Sequence, residues 1–425
     1  MTADTIFALS SGSPPAALAV VRISGPRADS ALQGLAGRLP EPRRASLARL
    51  SWAGERLDDA LVLRFPGPAS ATGEDIVELH LHGGRAVVAA VLGALGEMED
   101  LRMAEPGEFT RRAFENGRID LAEAEGLADL LQAETETQRR AAVALAGGAL
   151  TRLVGGWQEQ LLTQAAALEA VLDFSDEGEV GEGMPPGWNE ALAALVTDIE
   201  AALAAPPAER LRDGLRVVIA GPPNAGKSSL LNWLAGRQAA ITSAIAGTTR
   251  DLVEAPTAIG GTPFLLVDTA GLRESDDAVE AIGVGRAQAS IAAADLILWL
   301  GATEDAPEPA RTITIQSKAD LDAHDRGADI RVSAETGEGM DALVRLLSER
   351  AKALLPGEGE VALNARHRAA ISAAAGHLRD AQSSGDILIV AESLRQARVA
   401  LDAVTGRAGV ENMLDALFGR FCIGK

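Results

Sequence analysis

The sequence predicts a multidomain chain of the α/β plus all-α class. Its parts are an N-terminal α/β domain, a helical domain written in two pieces, and a doubly wound, mainly parallel α/β domain inserted between those pieces. Three observations carry this. Short apolar runs alternate with helical stretches over 214–353, the rhythm of βαβ units. Segments with apolar residues every three or four positions flank that region on both sides. Residues 75–81 alternate in polarity as a half-buried strand does. The 425 residues accommodate about three domains, each with its own core.

The elements follow in chain order. Residues 1–118 read as mixed α/β, with strands at Ala17–Ile23, Ala60–Phe65 and Asp75–Leu81 and helices near 28–37 and 86–98. Turn signals at Ser24-Gly25-Pro26 and Pro66-Gly67-Pro68 separate them. Residues 119–210 read as the first part of the helical domain. They hold an Ala-, Leu-, Glu- and Gln-rich stretch at 121–147, a helix near 157–173, an acidic Gly- and Pro-containing loop at 173–188 and a helix at 189–204. Pro206-Pro207 is a linker. The inserted domain, 211–355, carries strands at Arg216–Ala220, Phe264–Val267, Asp295–Leu300, Thr312–Gln316 and Asp329–Val332. Pro356-Gly357-Glu358-Gly359 forms a second linker, and 356–425 is helical again, with Ile387–Val404 its clearest helix. The second helical part is expected to pack on the first.

Composition narrows the function. Hydrophobic residues make up 47% and charged residues 23%, an ordinary globular balance. No apolar run approaches the ~20 residues of a membrane helix, and the N-terminus lacks a basic signal region. The single cysteine, Cys422, forms no internal disulfide. These features predict a soluble, cytoplasmic protein without a membrane partner. A net charge of −21 argues against long nucleic acid held by a global positive field, but leaves room for a local patch that docks a small structured RNA. Only four lysines occur, Lys227, Lys318, Lys352 and Lys425, against 35 arginines. A compositional bias toward Arg and Ala accounts for the scarcity. Against it, two of the four lysines fall inside nucleotide motifs and one is the last residue, the pattern expected where a compact ammonium serves and a planar guanidinium does not.

The strongest motif is Gly221-Pro-Pro-Asn-Ala-Gly226-Lys227-Ser228, which matches G-x-x-x-x-G-K-[ST] between the strand RVVIA and the helix SSLLNWLAG. Its backbone N–H groups and the helix N-terminus form an anion nest for phosphates. Lys227 reaches the β- and γ-phosphates, and the Ser228 hydroxyl ligates Mg²⁺. Three further elements follow in order. Gly247-Thr248-Thr249-Arg250-Asp251 suits a switch segment with Thr249 on Mg²⁺ and the γ-phosphate. Asp268-Thr269-Ala270-Gly271 follows an apolar strand and meets the Mg²⁺ shell and the γ-phosphate. Ser317-Lys318-Ala319-Asp320 follows the strand TITIQ. Asp320 can accept from guanine N1–H and the 2-amino group, where adenine offers no matching donors. Ser333-Ala334 suits the last base-contacting loop. The inserted domain therefore reads as a Ras-like P-loop G domain that hydrolyses GTP. Ser317 stands where the N-K-x-D pattern has Asn, and the shorter side chain is expected to lose a base or P-loop contact.

Hydrolysis needs a further group. Leu272 occupies the place of a water-orienting glutamine and cannot polarise water. Charge on the transferring phosphoryl group must then be met by an arginine or a bound cation. Asn224 offers a neutral oxygen for a monovalent cation, and Glu274 and Glu280 are both candidates to orient water.

The whole chain resembles the MnmE (TrmE) family of tRNA-modification GTPases. The resemblance rests on DTIFALSSGSPPAALAVVRISGP, TGEDIVELHLHGG and AEPGEFTRRAFENGRIDLAEAEGLADL. It also rests on GPPNAGKSSLLN, SAIAGTTRD, DTAGLRESDDAVEAIG and the ending FCIGK. It implies a homodimer formed through a folate-binding N-terminal domain. It implies a flavoprotein partner, MnmG, in a heterotetramer, and tRNA as substrate. The wobble uridine of certain tRNAs would gain a carboxymethylaminomethyl or aminomethyl group at carbon five, with the one-carbon unit drawn from 5-formyl- or 5,10-methylene-tetrahydrofolate. By motif match the folate contacts fall on Arg22, Glu78, Arg118 and Lys425. Potassium, which takes the place of an arginine finger, falls on Asn224, Ser243, Ile245 and Thr248. The water-orienting glutamate maps to Glu280, so Glu280, Lys227 and Thr249 are the catalytic candidates. Relatives commonly have Thr and Asp where Ser243 and Ala244 stand. Ser243 keeps an oxygen, whereas Ala244 removes a carboxylate.

The expected GTP contacts are thus Asn224, Ala225, Gly226, Lys227, Ser228 and Ser229. To these are added Ser243, Ala244, Ile245, Ala246, Gly247, Thr248 and Thr249, then Asp268, Thr269, Ala270 and Gly271. Ser317, Lys318, Ala319 and Asp320, with Ser333 and Ala334, complete the set. Cys422 is a candidate nucleophile, with Lys425 close in sequence as a cationic neighbour. His80 and His82 read as hydrogen-bonded sheet residues, because no third ligand with metal spacing follows. Phe418 and Phe421 read as packing residues. The rival function is a ribosome-assembly or regulatory GTPase switch without modification chemistry.

Overall fold

The computed structural model describes residues 4–173, 184–237, 254–269, 288–321, 327–357, 359–406, 411–419 and 421–425. The chain forms two compact units, Met1–Ala128 with Thr405–Lys425, and Asp129–Val404.

The first unit is built on six strands: β1 (Thr5–Leu9), β2 (Leu18–Ser24), β3 (Ser46–Trp52), β4 (Glu55–Phe65), β5 (Ile76–His82) and β6 (Leu101–Met103). They lie in the order β3-β4-β5-β2-β1-β6, with β1–β6 the parallel pair. One sheet face carries Phe7, Val21, Ile23, Leu79 and Leu81, buried with Leu32, Leu35, Val91 and Leu95 from helices Ala28–Ala36 and Arg85–Gly96. The period-2 rule then sends Ile6, Ala8, Arg22 and Glu78 to the opposite face. There Ile6 and Ala8 cluster with Ala104 and Phe109.

β1, β3 and β6 and the helix Glu108–Glu115 are absent from the sequence-based elements. In β3, Leu47 is exposed while Leu50 is buried, and the register shifts between Leu50 and Ser51. Apolar residues on both faces and a bulge hide the alternation. In the helix Glu108–Glu115, the core-facing position is filled by Arg112, which masks the apolar period.

Arg112 is the buried centre of a charge cluster. Its side chain is only 4% exposed. It donates to Asp4 Oδ1 and Glu108 Oε1, both at 3.0 Å, and to both Glu74 carboxylate oxygens at 3.2 Å. Arg102 also donates to Asp4 and Glu108. Burial pushes the Glu108 carboxyl up, but the hydrogen bond from Arg102, the Glu105 N–H and Arg112 outweigh it and hold it below its ordinary 4.5. Burial acts likewise on Asp4, and Arg102 and Arg112 hold it below 3.8.

A carboxyl lowered on folding stabilises the fold fully above its unfolded pKa and loses that contribution as pH falls through the folded value. Stability measured by calorimetric unfolding is therefore expected to fall as pH drops below about 4.5. Glu108→Gln should flatten that slope; an unchanged slope contradicts the assignment.

The C-terminal segment belongs to this unit. Helix Glu411–Phe418 packs with Leu121 and Phe421, and the Phe418 ring lies 6.4 Å from Phe114 and 6.1 Å from Phe421. Gly107 has φ +71°, and a Cβ there would sit 2.3 Å from the Phe418 carbonyl oxygen. Pro106 forms a β-bridge with Ile423.

The second unit contains helices Glu136–Ala146, Ala149–Asp173, Trp188–Ala204, Ala365–Ser383 and Ile387–Thr405, the last reaching the boundary. The helical stretch 121–147 is broken, because Thr135 caps the helix Glu136–Ala146 in a reciprocal box with Gln138. The stretch Trp188–Arg212 does reach the length and mean hydropathy, 1.3, of a membrane span. Within it Leu192, Leu195 and Ile199 are fully buried, while the apolar window as a whole is 22% buried.

The second sheet comprises β7 (Leu215–Ala220), β8 (Glu254–Ile259), β9 (Thr262–Asp268), β10 (Leu296–Trp299), β11 (Thr312–Gln316) and β12 (Ile330–Arg331). The order is β12-β11-β10-β7-β9-β8. All neighbours are parallel except β8–β9. This is the doubly wound, mainly parallel sheet that the alternation predicts. β8 is a further element not among the sequence-based strands. It carries Pro256, which removes a ladder donor and so confines the strand to an edge. The strand order reverses at β7, where ligand crevices open in such sheets.

Candidate functional site

The chain leaves β7 into the loop Gly221–Gly226 and enters helix Lys227–Arg237. Asn224 takes φ +61°, a left-handed conformation that Asn tolerates better than most side chains. Lys227 is buried, and its ammonium donates to the carbonyls of Gly221 at 3.0 Å and Pro222 at 2.8 Å. Those bonds hold the cation against the loop whose N–H groups form the nest. Ser228 Oγ donates to Asp268 Oδ2 at 2.7 Å. A hydroxyl and a carboxylate so close at a helix N-terminus form the hard oxygen set that suits Mg²⁺. Thr269 is anchored below them by its hydroxyl on the Ile219 carbonyl at 3.0 Å.

The base-side loop also reaches the phosphate loop. Ser317 Oγ donates to the Ala225 carbonyl at 2.6 Å, and Lys318 Nζ to the Asn224 carbonyl at 2.9 Å. The P-loop contact expected to weaken with Ser317 is therefore made, because the hydroxyl spans the short gap by itself. Ala319 N–H donates to the Val332 carbonyl, which ties this loop to Ser333, and Asp320 is exposed. A cleft of about 540 Å³, lined by Pro222, Ala225, Leu300, Ser317 and Lys318, opens at these strand ends. It has the size of a ligand pocket.

Ser317→Ala removes one neutral hydrogen bond, worth about 0.5–1.5 kcal/mol. GTP affinity measured by fluorescent-nucleotide displacement is expected to fall about two- to tenfold. No change would mean that the bond does not position the base loop.

Ser243, Ala244, Ile245, Ala246, Gly247, Thr248 and Thr249 lie outside the described residues, as do Ala270, Gly271, Leu272, Glu274 and Glu280. Of the expected potassium ligands, Asn224 is described.

In the first unit Arg22 and Glu78 stand opposite each other on β2 and β5. Arg22 donates to Glu78 Oε1 through Nε at 3.1 Å and Nη2 at 2.8 Å, and its guanidinium lies 5.7 Å from the Phe109 ring centre. Arg118 donates to the Ser70 carbonyl at 3.1 Å. The loop it holds is tied to Ser24, whose hydroxyl lies 2.7 Å from Thr72 Oγ1 and donates to Glu74 Oε2 at 2.7 Å. Since Glu74 is held by Arg112, the cluster supports the strand end two residues beyond Arg22 and the Arg118 loop together. This support is missing from the sequence-based candidates. Its available signal was Glu108 and Arg112 four residues apart on one helix face.

The tail reaches the same sheet. Gly424 has φ +95°, and a Cβ there would lie 2.1 Å from the Leu9 carbonyl oxygen. Leu9 pairs with Val21, next to Arg22. Lys425 N–H donates to the Cys422 carbonyl in a terminal turn, and the Cys422 side chain is exposed. Both imidazoles meet carboxylates. His82 Nδ1 lies 2.7 Å from Asp58 Oδ1, and His80 Nε2 lies 3.4 Å from Glu78 Oε2.

Two family models match the chain. The N-terminus of the GTP-binding protein TrmE matches residues 5–118, and the MnmE helical domain matches residues 121–422. A tRNA modification GTPase MnmE from Rhizorhabdus wittichii is 61% identical over 428 residues, which span 99% of this chain and 97% of the relative. The protein of that name from Erythrobacter litoralis is 58% identical over 424 residues, spanning 99% of this chain and 100% of the relative. The crystal structure of the G domain of the T. maritima FeoB iron transporter aligns with 32% of this chain and 98% of its own at 25% identity, with a TM-score of 0.23.

Proposed function

The chain belongs to the MnmE family of tRNA modification GTPases, and from that premise we propose that it couples GTP hydrolysis to modification of the wobble uridine of certain tRNAs. In this reading it acts in the cytoplasm as a homodimer, joined by the flavoprotein MnmG in a heterotetramer. The complex installs an aminomethyl-type group at carbon five, with a reduced tetrahydrofolate as one-carbon donor. Residues 1–118 form the folate-binding and dimerising domain, 211–355 the G domain, and 119–210 with 356–425 the helical domain.

In the G domain, the loop at 221–226 and the helix N-terminus take the phosphates. Lys227 turns from the Gly221 and Pro222 carbonyls to the β- and γ-phosphates, which carry more charge. Asp320 selects guanine by accepting two N–H bonds. Ser228 and Thr249 would hold Mg²⁺, with Asp268 beside them. Asn224, Ser243, Ile245 and Thr248 would hold potassium. The two ions supply positive charge at the transferring phosphoryl group. Glu280 is assigned to orienting the attacking water.

One observation supports the folate reading above others. The tail that ends in Lys425 packs on β1, one strand from the Arg22–Glu78 pair. A carboxylate, two guanidinium groups and an ammonium match a ligand with an N–H-rich ring and carboxylates. Glu78 would accept from the pterin N–H groups, and Arg22, Arg118 and Lys425 would meet its polar and carboxylate groups.

Calorimetric titration with 5-formyltetrahydrofolate tests this. Glu78→Ala and deletion of Lys425 each remove a charged hydrogen-bonding group, worth about 1.5–3 kcal/mol. Each should weaken binding about ten- to 150-fold. Absence of binding by the folded wild type, or binding that neither change alters, overturns the assignment.

A further inference from the structure

Among the described residues of the N-terminal unit, one buried side-chain polar atom has no hydrogen-bond partner: Ser10 Oγ. Buried hydroxyls are ordinarily paired, and leaving one unpaired costs about 1–3 kcal/mol. Its backbone N–H and the adjoining strand are paired. Ser10 N–H donates to the Val20 carbonyl at 2.7 Å, and the next hydroxyl, Ser11 Oγ, accepts from the Val20 N–H at 3.0 Å. The orphan is therefore a property of the Ser10 side chain and not of a frayed strand end.

Its place on the sheet says what it faces. Ser10 continues the alternation of Ile6 and Ala8, so it shares the face that carries Arg22 and Glu78. Ala8 pairs with Arg22 and Arg22 with Glu78; in the next row Ser10 bonds Val20, and Val20 pairs with His80. The terminal turn runs beside Ser10, since a Cβ on Gly424 would be 2.9 Å from the Ser10 Cα. The chain reaches Lys425 one residue after Gly424.

We infer that Ser10 is a further ligand-contacting residue of the Arg22–Glu78 site, its hydroxyl donating to a ring nitrogen or oxygen of the bound pterin beside the C-terminal turn. The inference rests on the folate reading above and extends it. Glu78 supplies an acceptor for ring N–H groups. Ser10 adds a donor one residue row away, so the pair reads both signs of a 2-amino-4-oxo ring. Without ligand the hydroxyl is a destabilising orphan, and with ligand it is satisfied.

That difference separates a binding role from a structural one. Ser10→Ala deletes the orphan, so the unliganded protein should melt at the same temperature as wild type or higher. Its affinity for 5-formyltetrahydrofolate, titrated calorimetrically beside wild type, should fall about tenfold. Three results overturn the inference. Wild-type binding that Ser10→Ala leaves unchanged rejects Ser10 alone and spares the folate site. Lower unliganded melting of Ser10→Ala makes the residue structural. Absence of binding by folded wild type removes the folate reading and Ser10 with it.

Discussion

Lys227→Ala lowers GTP turnover about 10²–10³-fold or more in a steady-state phosphate-release assay, with little change in thermal unfolding. The ammonium is buried at the loop, and the carbonyls of Gly221 and Pro222 are among its partners. Both are neutral acceptors of the loop itself, so a phosphate oxygen bearing full charge competes well for the same donor. The cation then lies where charge builds in the transition state, in a site that needs no reorganisation. Lys227→Arg should not restore turnover, because a planar fork does not occupy a niche shaped for a compact ammonium. Near-wild-type turnover in Lys227→Ala would remove the phosphate loop from the mechanism.

The second large effect is on the fold. Arg112→Met is expected to destabilise the N-terminal unit by about 3–5 kcal/mol, read as a shift in the denaturant midpoint of its unfolding transition. Arg112 serves three carboxylates, those of Asp4, Glu74 and Glu108. Removing it leaves charges in a partly dry environment with only Arg102 to share between Asp4 and Glu108. Glu74 then has Ser24 as its remaining partner in the cluster. The same change should weaken folate binding, since the Arg118 loop is tied to Ser24 and Glu74. A shift below about 1 kcal/mol, the scale of an exposed ion pair, would show that the cluster is solvated and not structural.

These residues also mark where sequence reasoning works and where it stops. The nucleotide loop was legible because its chemistry is local: Gly221, Lys227 and Ser228 sit within eight positions, between a strand and a helix that announce themselves. Helices Ala28–Ala36 and Trp188–Ala204 and strand Thr312–Gln316 follow from apolar periodicity for the same reason. Strand Glu254–Ile259 was not, since its proline is tolerated by an edge position that only the assembled sheet defines. Arg112 was hidden because a charged residue in a core position looks like a surface residue until its partners, Asp4 and Glu74, arrive from distant parts of the chain. Ser10 was illegible for a related reason. An orphaned hydroxyl is defined by what fails to reach it, and the neighbouring turn comes from the opposite end of the chain. The Ser317 departure ran the other way. Its P-loop contact is preserved at 2.6 Å, a distance that residue spacing does not encode.

The central claim is that GTP hydrolysis by this chain is required for a tRNA modification. It is tested most directly by mass spectrometry of nucleosides from the tRNA of cells that lack the chain, carrying either the wild type or Lys227→Ala. The account predicts loss of 5-substituted wobble uridines in the deficient cells, restoration by the wild type and none by the variant. Modified uridines at wild-type levels in the deficient cells, or full restoration by a variant shown to hydrolyse no GTP, would contradict it.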